Sequence, residues 1–357
     1  MNSMQEYLYN LATDKYRGWK TLLPKAVLLV LSWLYAAVVG VLVFVRHSRR
    51  TRMRCKAVSV GNITLGGTGK TVLVEYIARF LQKHQRKAAV ISRGYKKPSC
   101  AAGSLDYALM GDEPYMLGKK LPGVKILVDA NRLRACAKAE ASGIDTVILD
   151  DGFQQWGLYK DLEIVVVDCA DPFGNRHVLP RGILREPLSA LKRADIFVLT
   201  KIDASAQAQA VEEFLARLKP QALIAKVVHQ PVSVYRFGAA QESPASALSG
   251  KRTAIFCGIG DPASFERSCA GLGMQVVARR IFADHHCFSP QDLREVALRA
   301  SAEGAELLVT TEKDAARLQG LPGLDDLNIP LWVLRIELRF TENEEGFCAR
   351  LRGIYAA

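Results

Sequence analysis

The feature that most constrains the fold is a glycine-rich loop between an apolar segment and a helical pattern. In the stretch VSVGNITLGGTGKTVLVEYIARFL, residues 58–81, the glycines lie where a strand should end and a helix should begin. Such loops let backbone N–H groups converge on phosphate oxygens, and the helix adds its positive N-terminus. The pattern therefore predicts a phosphate-binding loop that takes a nucleoside triphosphate.

Two side chains of this loop have predicted tasks. We expect Lys70 to reach the β- and γ-phosphates and to stabilise their charge during transfer, and the Thr71 hydroxyl to bind Mg²⁺. Thr64 stands where the usual pattern has its first glycine, so Gly66 and Gly67 must supply the flexibility. The predicted nucleotide-binding residues are Thr64, Gly66, Gly67, Thr68, Gly69, Lys70 and Thr71.

Short apolar runs alternate with helical patterns from residue 55 onward, which predicts an α/β fold. Strands this apolar indicate a parallel sheet covered by helices on both faces, with ligands at the carboxyl ends of the strands. The predicted strands are 55–60, 88–92, 124–128, 146–149, 164–167 and 196–199, and helices are predicted at 72–81 and 132–141.

A second, smaller α/β subdomain is predicted to begin near residue 236. Its strands are expected at 253–257 and 306–309, and residues 226–237 have the pattern of extended linker strands. The predicted domains are an N-terminal membrane-anchoring segment at 1–50, a P-loop core at 51–235 and a C-terminal subdomain at 236–357, hinged on the core.

Residues 26–45 form an uncharged apolar run of twenty. At about 1.5 Å per residue, a helix of this length spans roughly 30 Å, the thickness of the hydrocarbon core of a bilayer. The first 56 residues contain ten basic and two acidic side chains, which gives +8 of the net charge of +12. Because the basic side chains flank the apolar run, we expect an anionic membrane surface, and no nucleic acid, as a partner. The run could span the bilayer or lie in its interface.

The basic stretch after residue 45 favours a cytoplasmic location for the C-terminal side of the run. The eight cysteines form no C-x-x-C pair, which argues against a zinc or redox motif and fits a reducing compartment. No feature of the sequence indicates an obligate protein partner.

An apolar strand pattern ends in two aspartates, in the sequence VILDDGFQQ at residues 147–155. This has the form of a Walker B element, in which a carboxylate holds Mg²⁺ directly or through water. Asp150 and Asp151 are therefore candidate metal ligands, although paired aspartates can also cap the turn that follows.

Two further motifs carry less information. The sequence TKID at residues 200–203 is similar to the guanine-reading N-K-x-D motif, but Thr200 replaces the asparagine. The sequence FADHH at residues 282–286 places two histidines beside an aspartate, and a histidine near a carboxylate can act as a general base. The alternative for FADHH is a surface loop without a catalytic role.

Several motifs, in order along nearly the whole chain, resemble those of one family, the tetraacyldisaccharide 4'-kinases. They are GNITLGGTGKT, SRGY (92–95), GDEP (111–114), DDGFQ (150–154), LPRGILREP (179–187), FADHH and TTEKDAARL (310–318). Gln155 and Val72 stand where the family commonly has a histidine and a proline. Ordered agreement over this length is more specific than the phosphate loop alone.

The resemblance implies a P-loop core, a smaller C-terminal subdomain and an N-terminal membrane helix. It also implies a reaction in which ATP, with Mg²⁺, phosphorylates the 4'-hydroxyl of a tetraacylated glucosamine disaccharide 1-phosphate. The expected setting is lipid A biosynthesis at the cytoplasmic face of the inner membrane. The alternative hypothesis is a membrane-tethered GTPase or ATPase switch, which explains the phosphate loop and TKID but not FADHH.

By this resemblance, the family's catalytic aspartate and histidine correspond to Asp112 and His285. Closure of the C-terminal subdomain onto the core is expected to bring the two side chains together. We expect Asp112 to accept the proton of the hydroxyl while His285 orients it; the reverse assignment and a helix-capping role for Asp112 stay open. The family's Walker B aspartates fall at Asp150 and Asp151, a further metal ligand at Glu113, and substrate-binding or supporting residues at Arg132, Gln154 and Asn175.

Overall fold

The computed structural model describes residues 3–16, 18–94, 110–239, 241–324 and 326–356, so Tyr95 of the SRGY motif lies outside the described residues. The described strands are β1 (Lys56–Gly61), β2 (Ala88–Ser92), β3 (Lys125–Val128), β4 (Thr146–Asp150), β5 (Leu162–Asp168), β6 (Ile196–Thr200), β7 (Leu223–Arg236), β8 (Glu242–Pro244), β9 (Arg252–Cys257), β10 (Gln275–Ile281), β11 (Leu307–Thr311) and β12 (Leu331–Glu342). The described α-helices are α1 (Ser3–Ala12), α2 (Leu22–Ser48), α3 (Lys70–Lys83), α4 (Asp112–Lys120), α5 (Arg132–Ala141), α6 (Ala208–Leu218), α7 (Pro262–Gly271), α8 (Pro290–Ala302), α9 (Glu312–Leu318) and α10 (Glu344–Gly353).

The chain forms two compact units. The P-loop unit contains the residues up to Ile91, Asn131–Val228 and the residues from Phe340 onward. The second unit contains Ser92–Ala130 and His229–Arg339. Strands β7 and β12 each begin in one unit and end in the other.

The P-loop unit has a parallel sheet with the strand order β7-β6-β5-β1-β4-β2. Nearly every residue of β1, β4 and β6 is buried, as expected for a parallel sheet whose two faces are both covered. Val60 of β1 pairs with Asp150 of β4, so the glycine-rich loop starts beside the tip of β4. The predicted α/β class and parallel sheet are confirmed.

The second unit has the strand order β10-β9-β11-β12-β7, with β8 antiparallel to β7. β9 is parallel to both β10 and β11, and β11 is parallel to β12. Phe256 and Phe265 lie in two separate apolar clusters of this unit, and both side chains are almost completely buried. This part of the chain is the smaller α/β subdomain that the alternating pattern predicts.

Residues 92–130 differ from the predicted domain division, because they belong to the second unit and not to the P-loop core. Helix α4 packs there against α9. The Lys120 ammonium lies 2.9 Å from the Glu312 carboxylate, and both side chains are largely buried. Tyr115 packs against Ala316 one helix turn further along. These contacts join sequence segments almost 200 residues apart, which a local pattern does not reveal.

Residues 340–356 also differ from the prediction, because they belong to the P-loop unit. The Phe347 side chain is fully buried, and its ring centroid lies 6.1 Å from that of Tyr76 on α3. The Tyr355 hydroxyl lies 2.5 Å from the Thr146 hydroxyl at the start of β4. The P-loop unit is therefore built from three separate stretches of sequence.

Helix α2 is docked on the P-loop unit by one face. The Ser32 hydroxyl donates to the Val178 carbonyl oxygen at 2.8 Å and accepts from the Arg181 N–H group at 2.9 Å. The Tyr35 hydroxyl donates to the Arg185 carbonyl oxygen at 3.0 Å. Docked residues recur every three or four positions, which places them on one side of the helix. They are Lys25, Leu28, Leu29, Ser32, Tyr35, Ala36, Val39 and Val43.

The opposite face of α2 is apolar and exposed. The side chains of Trp33 and Phe44 are 63% and 76% exposed. Helix residues Trp19–Ser48 are long and apolar enough, by length and composition, to cross a membrane. An exposed apolar surface of this extent marks a contact with a membrane or another protein.

We expect Ser32→Ala to destabilise the protein, because it leaves the Arg181 N–H group without its acceptor, whereas the Val178 carbonyl oxygen still accepts from the Gly182 N–H group. Such a loss costs about 1–3 kcal/mol. The expected readout is a lower Tm in detergent micelles, by roughly 2–4 °C per kcal/mol. Ser48→Ala is the matched control, since Ser48 lies on the same helix but is exposed. Equal Tm values for the two variants would contradict the docking of α2.

Candidate active site

The glycine-rich loop has the backbone that its sequence predicts. β1 ends at Gly61, where an added Cβ atom would lie 2.5 Å from the Phe153 Cβ atom. Gly66 and Gly69 have positive φ angles of 107° and 84°, which side chains disfavour. Gly69 is the N-cap of α3, so the helix begins at Lys70 with its N-terminus at the end of the loop.

Lys70 is held by two side chains of the P-loop unit. Its ammonium nitrogen donates to Asn62 Oδ1 at 3.0 Å and lies 3.4 Å from Asp151 Oδ1. The other Asp151 oxygen lies 2.8 Å from the Arg185 guanidinium. Burial by itself raises the pKa of the Asp151 carboxyl, but the charges of Lys70 and Arg185 outweigh it and lower that pKa below its ordinary value. Asp151 is therefore ionised at neutral pH.

The loop fits a triphosphate. The Thr68 hydroxyl is buried and has no hydrogen-bond partner among the described residues, so it can donate to an anion in the loop. Open space surrounds Gly66 and Gly67, where added Cβ atoms would meet no other atom within 4 Å. A ligand can thus approach the backbone N–H groups closely.

The arrangement also fits Mg²⁺ that is held mainly by phosphate oxygens and water. Among the described residues no group of three or more His, Cys, Asp or Glu side chains forms a metal cage. Mg²⁺ bound to nucleotides commonly needs one or two protein ligands only. Thr71, in the first turn of α3, and Asp150 and Asp151, at the tip of β4, provide oxygens in the P-loop unit.

Arg132 and Gln154, two of the predicted supporting residues, form hydrogen bonds to the backbone of the P-loop unit. Arg132 is buried and donates to the carbonyl oxygens of Ile91 and Asp150, both at 2.6 Å, so it ties the ends of β2 and β4 together. Gln154 donates to the Asn62 carbonyl oxygen at 3.2 Å and to Glu186 at 3.1 Å.

Asn175 lies at the base of the N-terminal segment. Its amide nitrogen donates to the Ala12 carbonyl oxygen at 2.6 Å, to Asp14 Oδ2 at 3.0 Å and to the Arg181 carbonyl oxygen at 3.0 Å. Burial alone would raise the pKa of Asp14, but Lys25, Asn175 and Arg181 lower it to about 2. Asn175 therefore joins the residues after α1 to the loop that contains Arg181, which also contacts α2.

The TKID sequence supports the phosphate loop from β6, which lies two strands from β1 in the sheet. The Thr200 hydroxyl, at the end of β6, donates to the Thr68 carbonyl oxygen at 3.3 Å. Lys201 lies 2.7 Å from Asp168 Oδ2, at the end of β5. Lys201, the lysine that a guanine-reading motif would use, is thus engaged in an ion pair.

A second constellation lies in the second unit. Asp112, the first residue of α4, lies directly after Gly111, which has a φ angle of 83°. Asp112 Oδ2 lies 2.9 Å from His285 Nδ1 and accepts a hydrogen bond from Arg317 Nε at 2.6 Å. The structure thus brings the predicted pair together within one unit, whereas the sequence placed Asp112 in the P-loop core.

The two adjacent histidines of FADHH have different partners. His285 has a φ angle of 60°, and its side chain faces Asp112. His286 lies 3.2 Å from Asp292 of α8 and stacks on Phe282, with ring centroids 4.5 Å apart. His286 therefore anchors the loop, and His285 is the histidine available for chemistry.

Glu113, the second predicted carboxylate of this unit, lies 3.2 Å from Lys313 of α9. It belongs to the second unit, whereas Thr71, Asp150 and Asp151 belong to the P-loop unit.

Sequence reasoning did not assign roles to Asn62, Arg185 and Arg317. All three lie inside motifs used for the family resemblance, namely GNITLGGTGKT, LPRGILREP and TTEKDAARL. The presence of polar and charged side chains inside these motifs was the available signal.

Comparison with known proteins decides the family. The family model of LpxK, tetraacyldisaccharide-1-P 4'-kinase, matches residues 24–355 and so includes every site residue described above. The chain belongs to this family. It is therefore a kinase, and a GTPase or ATPase switch is not favoured, because the match extends through both units.

Relatives and a solved structure agree with this assignment. The tetraacyldisaccharide 4'-kinase of Halothermothrix orenii is 33% identical over 366 residues, which cover 94% of each chain. That of Anaeromyxobacter sp. strain K is 40% identical over 279 residues, covering 75% of this chain and 73% of the relative. The crystal structure of LpxK from Aquifex aeolicus in complex with ATP has a TM-score of 0.71 at 26% identity. That match covers 93% of this chain and 99% of the other.

We expect Asn62→Ala to weaken ATP binding. Buried Asn62 donates to Thr64 and accepts from Lys70, so its loss frees the loop backbone and the lysine together. Two lost hydrogen bonds, one to a charged group, correspond to about a tenfold or larger rise in Kd. Titration with a fluorescent ATP analogue measures it. Asn328→Ala, at an exposed loop position, is the control; an unchanged Kd for the Asn62 variant would exclude this role.

Proposed function

We propose that this chain transfers the γ-phosphate of ATP to the 4'-hydroxyl of a tetraacylated glucosamine disaccharide 1-phosphate, a step of lipid A biosynthesis. The observation that carries the proposal is the pairing of Asp112 with His285, in a chain whose family match also includes a complete phosphate loop. A phosphate loop alone serves hydrolysis and transfer equally, whereas a carboxylate–imidazole pair suits the activation of a hydroxyl.

Lys70 is assigned to the β- and γ-phosphates. Its ammonium group is largely buried, and its neighbours Asn62 and Asp151 fix its direction before ATP arrives. Charge that builds up on phosphate oxygens during transfer is stabilised most by a cation that is already in place. Thr64, Gly66, Gly67, Thr68, Gly69 and Thr71 complete the assigned ATP-binding residues.

Asp112 is assigned as the group that takes the proton of the sugar hydroxyl, and His285 as the group that orients it. A sugar hydroxyl is a poor nucleophile, so loss of its proton during transfer lowers the barrier. Asp112 is only 10% exposed, which keeps its carboxylate away from bulk water. His285 is 30% exposed and can release a proton to solvent.

Mg²⁺ is the proposed metal, with Thr71, Asp150, Asp151 and Glu113 as candidate ligands. When bound, Mg²⁺ would neutralise charge on the phosphate oxygens of ATP. Asp151 is also paired with Lys70 and Arg185, and Glu113 with Lys313.

We also propose that α2 attaches the protein to the cytoplasmic face of the inner membrane by lying in the bilayer interface. Its docked stripe extends from Lys25 to Val43, roughly 27 Å of helix at 1.5 Å per residue. A helix crossing the bilayer would carry this whole length, together with the docked loop that contains Arg181 and Arg185, into hydrocarbon. An in-plane helix leaves that loop in water and buries only the exposed apolar face.

The test of the reaction is a set of three variants, Asp112→Asn, His285→Ala and the double variant. If the pair acts as a unit, each single change should lower kcat by about 10²–10⁴-fold, and the double change should be little worse than the more damaging single one. ATP binding should survive in all three. Transfer of ³²P from ATP to the lipid acceptor is the measurement.

Two comparisons complete that experiment. Lys70→Ala should abolish phosphoryl transfer, because it alters the nucleotide site. Asp203→Asn, at an exposed TKID position, should leave phosphoryl transfer unchanged. Independent, multiplying losses for Asp112 and His285 would exclude a coupled pair. Release of inorganic phosphate without a labelled lipid would exclude the kinase reaction.

For the membrane, we expect an N-terminal peptide tag to be cleaved by protease added to inside-out inner-membrane vesicles. An in-plane helix keeps both ends on the outer face of such vesicles, whereas a spanning helix encloses the N-terminal tag. A C-terminal tag is the control and should be cleaved in either case. Protection of the N-terminal tag in sealed vesicles would overturn the in-plane arrangement.

A further inference from the structure

Arg317 is a buried cation without an assigned task. Its side chain is 2% exposed, although it carries a full positive charge. It lies on α9 and reaches Asp112 of α4 and the FADHH loop. Burial of a guanidinium costs free energy unless its N–H groups form hydrogen bonds. The partners of Arg317 therefore show which groups it holds in place.

The guanidinium contacts four groups of the second unit. Its Nε atom donates to Asp112 Oδ2 at 2.6 Å, and one terminal nitrogen lies 3.3 Å from His285 Nδ1. The other terminal nitrogen donates to Asp314 Oδ1 at 2.8 Å and to the Gly258 carbonyl oxygen at 2.6 Å. The planar guanidinium therefore links Asp112 and His285 to the backbone and side chains of the rest of the second unit.

Asp314 braces the guanidinium from one helix turn earlier. It is fully buried and accepts from the Thr311 hydroxyl at 2.7 Å and from the Gly258 N–H group at 3.1 Å. Thr311 is also the N-cap of α9, which fixes the start of the helix. Arg317 thus has one orientation in which all these contacts are made.

Gly258 connects the guanidinium to the histidine backbone. Its carbonyl oxygen accepts from Arg317 and also from the His285 N–H group, at 3.1 Å. An added Cβ atom at Gly258 would lie 3.1 Å from the Ala283 carbonyl oxygen and 3.4 Å from Arg317. The left-handed residue His285 is therefore held at its backbone and at its ring by one cluster.

We infer that Arg317 is a positioning residue for phosphoryl transfer. It fixes Oδ2 of Asp112 and sets His285 Nδ1 toward the same oxygen. This inference rests on the proposed role of Asp112 and His285. Lysine cannot replace Arg317, because one ammonium group cannot contact Asp112, Asp314 and Gly258 in the directions of a planar fork.

The test compares Arg317→Met and Arg317→Lys with the unaltered kinase. Arg317→Met should lower kcat by about 10²-fold, with KM for ATP changed less than about threefold, because the phosphate loop is untouched.

Arg317→Lys should still lose about tenfold in kcat, because it retains the positive charge but not the geometry of the planar guanidinium. Arg335→Met is the matched control, since Arg335 also pairs with carboxylates, Glu242 and Glu337, in the second unit. It should retain kcat.

The outcomes separate the two proposals. If Asp112→Asn is inactive while Arg317→Met keeps kcat, the positioning role is wrong and the proposed base stands. If Asp112→Asn keeps activity, the proposed base itself is wrong. Should Arg317→Met fail to fold by thermal unfolding, Arg317→Lys decides, and wild-type kcat in that variant overturns the inference.

Discussion

The parallel pairing of β1 with β4 is the constraint on which the nucleotide site depends. It places the residue opposite Val60 at the tip of β4, and that residue is Asp150. Because parallel strands end at the same edge, the glycine-rich loop and the paired aspartates meet without any contact specific to a ligand. Arg132 then closes the neighbouring strand ends by donating to carbonyl oxygens of β2 and β4. Pairing of the strand backbones thus sets the positions of the site residues, whatever side chains they carry.

Both candidate centres join a carboxylate to a largely buried cation. Asp151 is held by Lys70 and Arg185, and Asp112 is held by Arg317. Removing one member of such a group costs more than its interaction is worth, because the remaining charge stays buried without compensation. The contacts therefore limit which residues can occupy these positions, and they explain why charged residues lie inside otherwise apolar motifs.

The strands and the phosphate loop could be predicted from sequence because their signals are local. Ala88–Ser92 and Arg132–Ala141 have the bounds that their apolar patterns predict. The unit to which residues 92–130 belong could not be predicted, because it is decided by distant contacts such as Lys120 with Glu312. FADHH marked a functional loop, but only the contact with Asp112 separates His285 from His286. Arg317 was visible in a motif, yet its burial and its fork geometry exist only in the folded chain.

The return of residues 340–356 to the P-loop unit has a consequence for synthesis on the ribosome. Phe347 fills the position beside Tyr76, and Tyr355 reaches the start of β4, so α3 and β4 gain these neighbours only after the whole second unit has been translated. Helix α2 leaves the exit tunnel some 300 residues earlier. A nascent chain therefore exposes the apolar face of α2 long before its nucleotide-binding unit is complete.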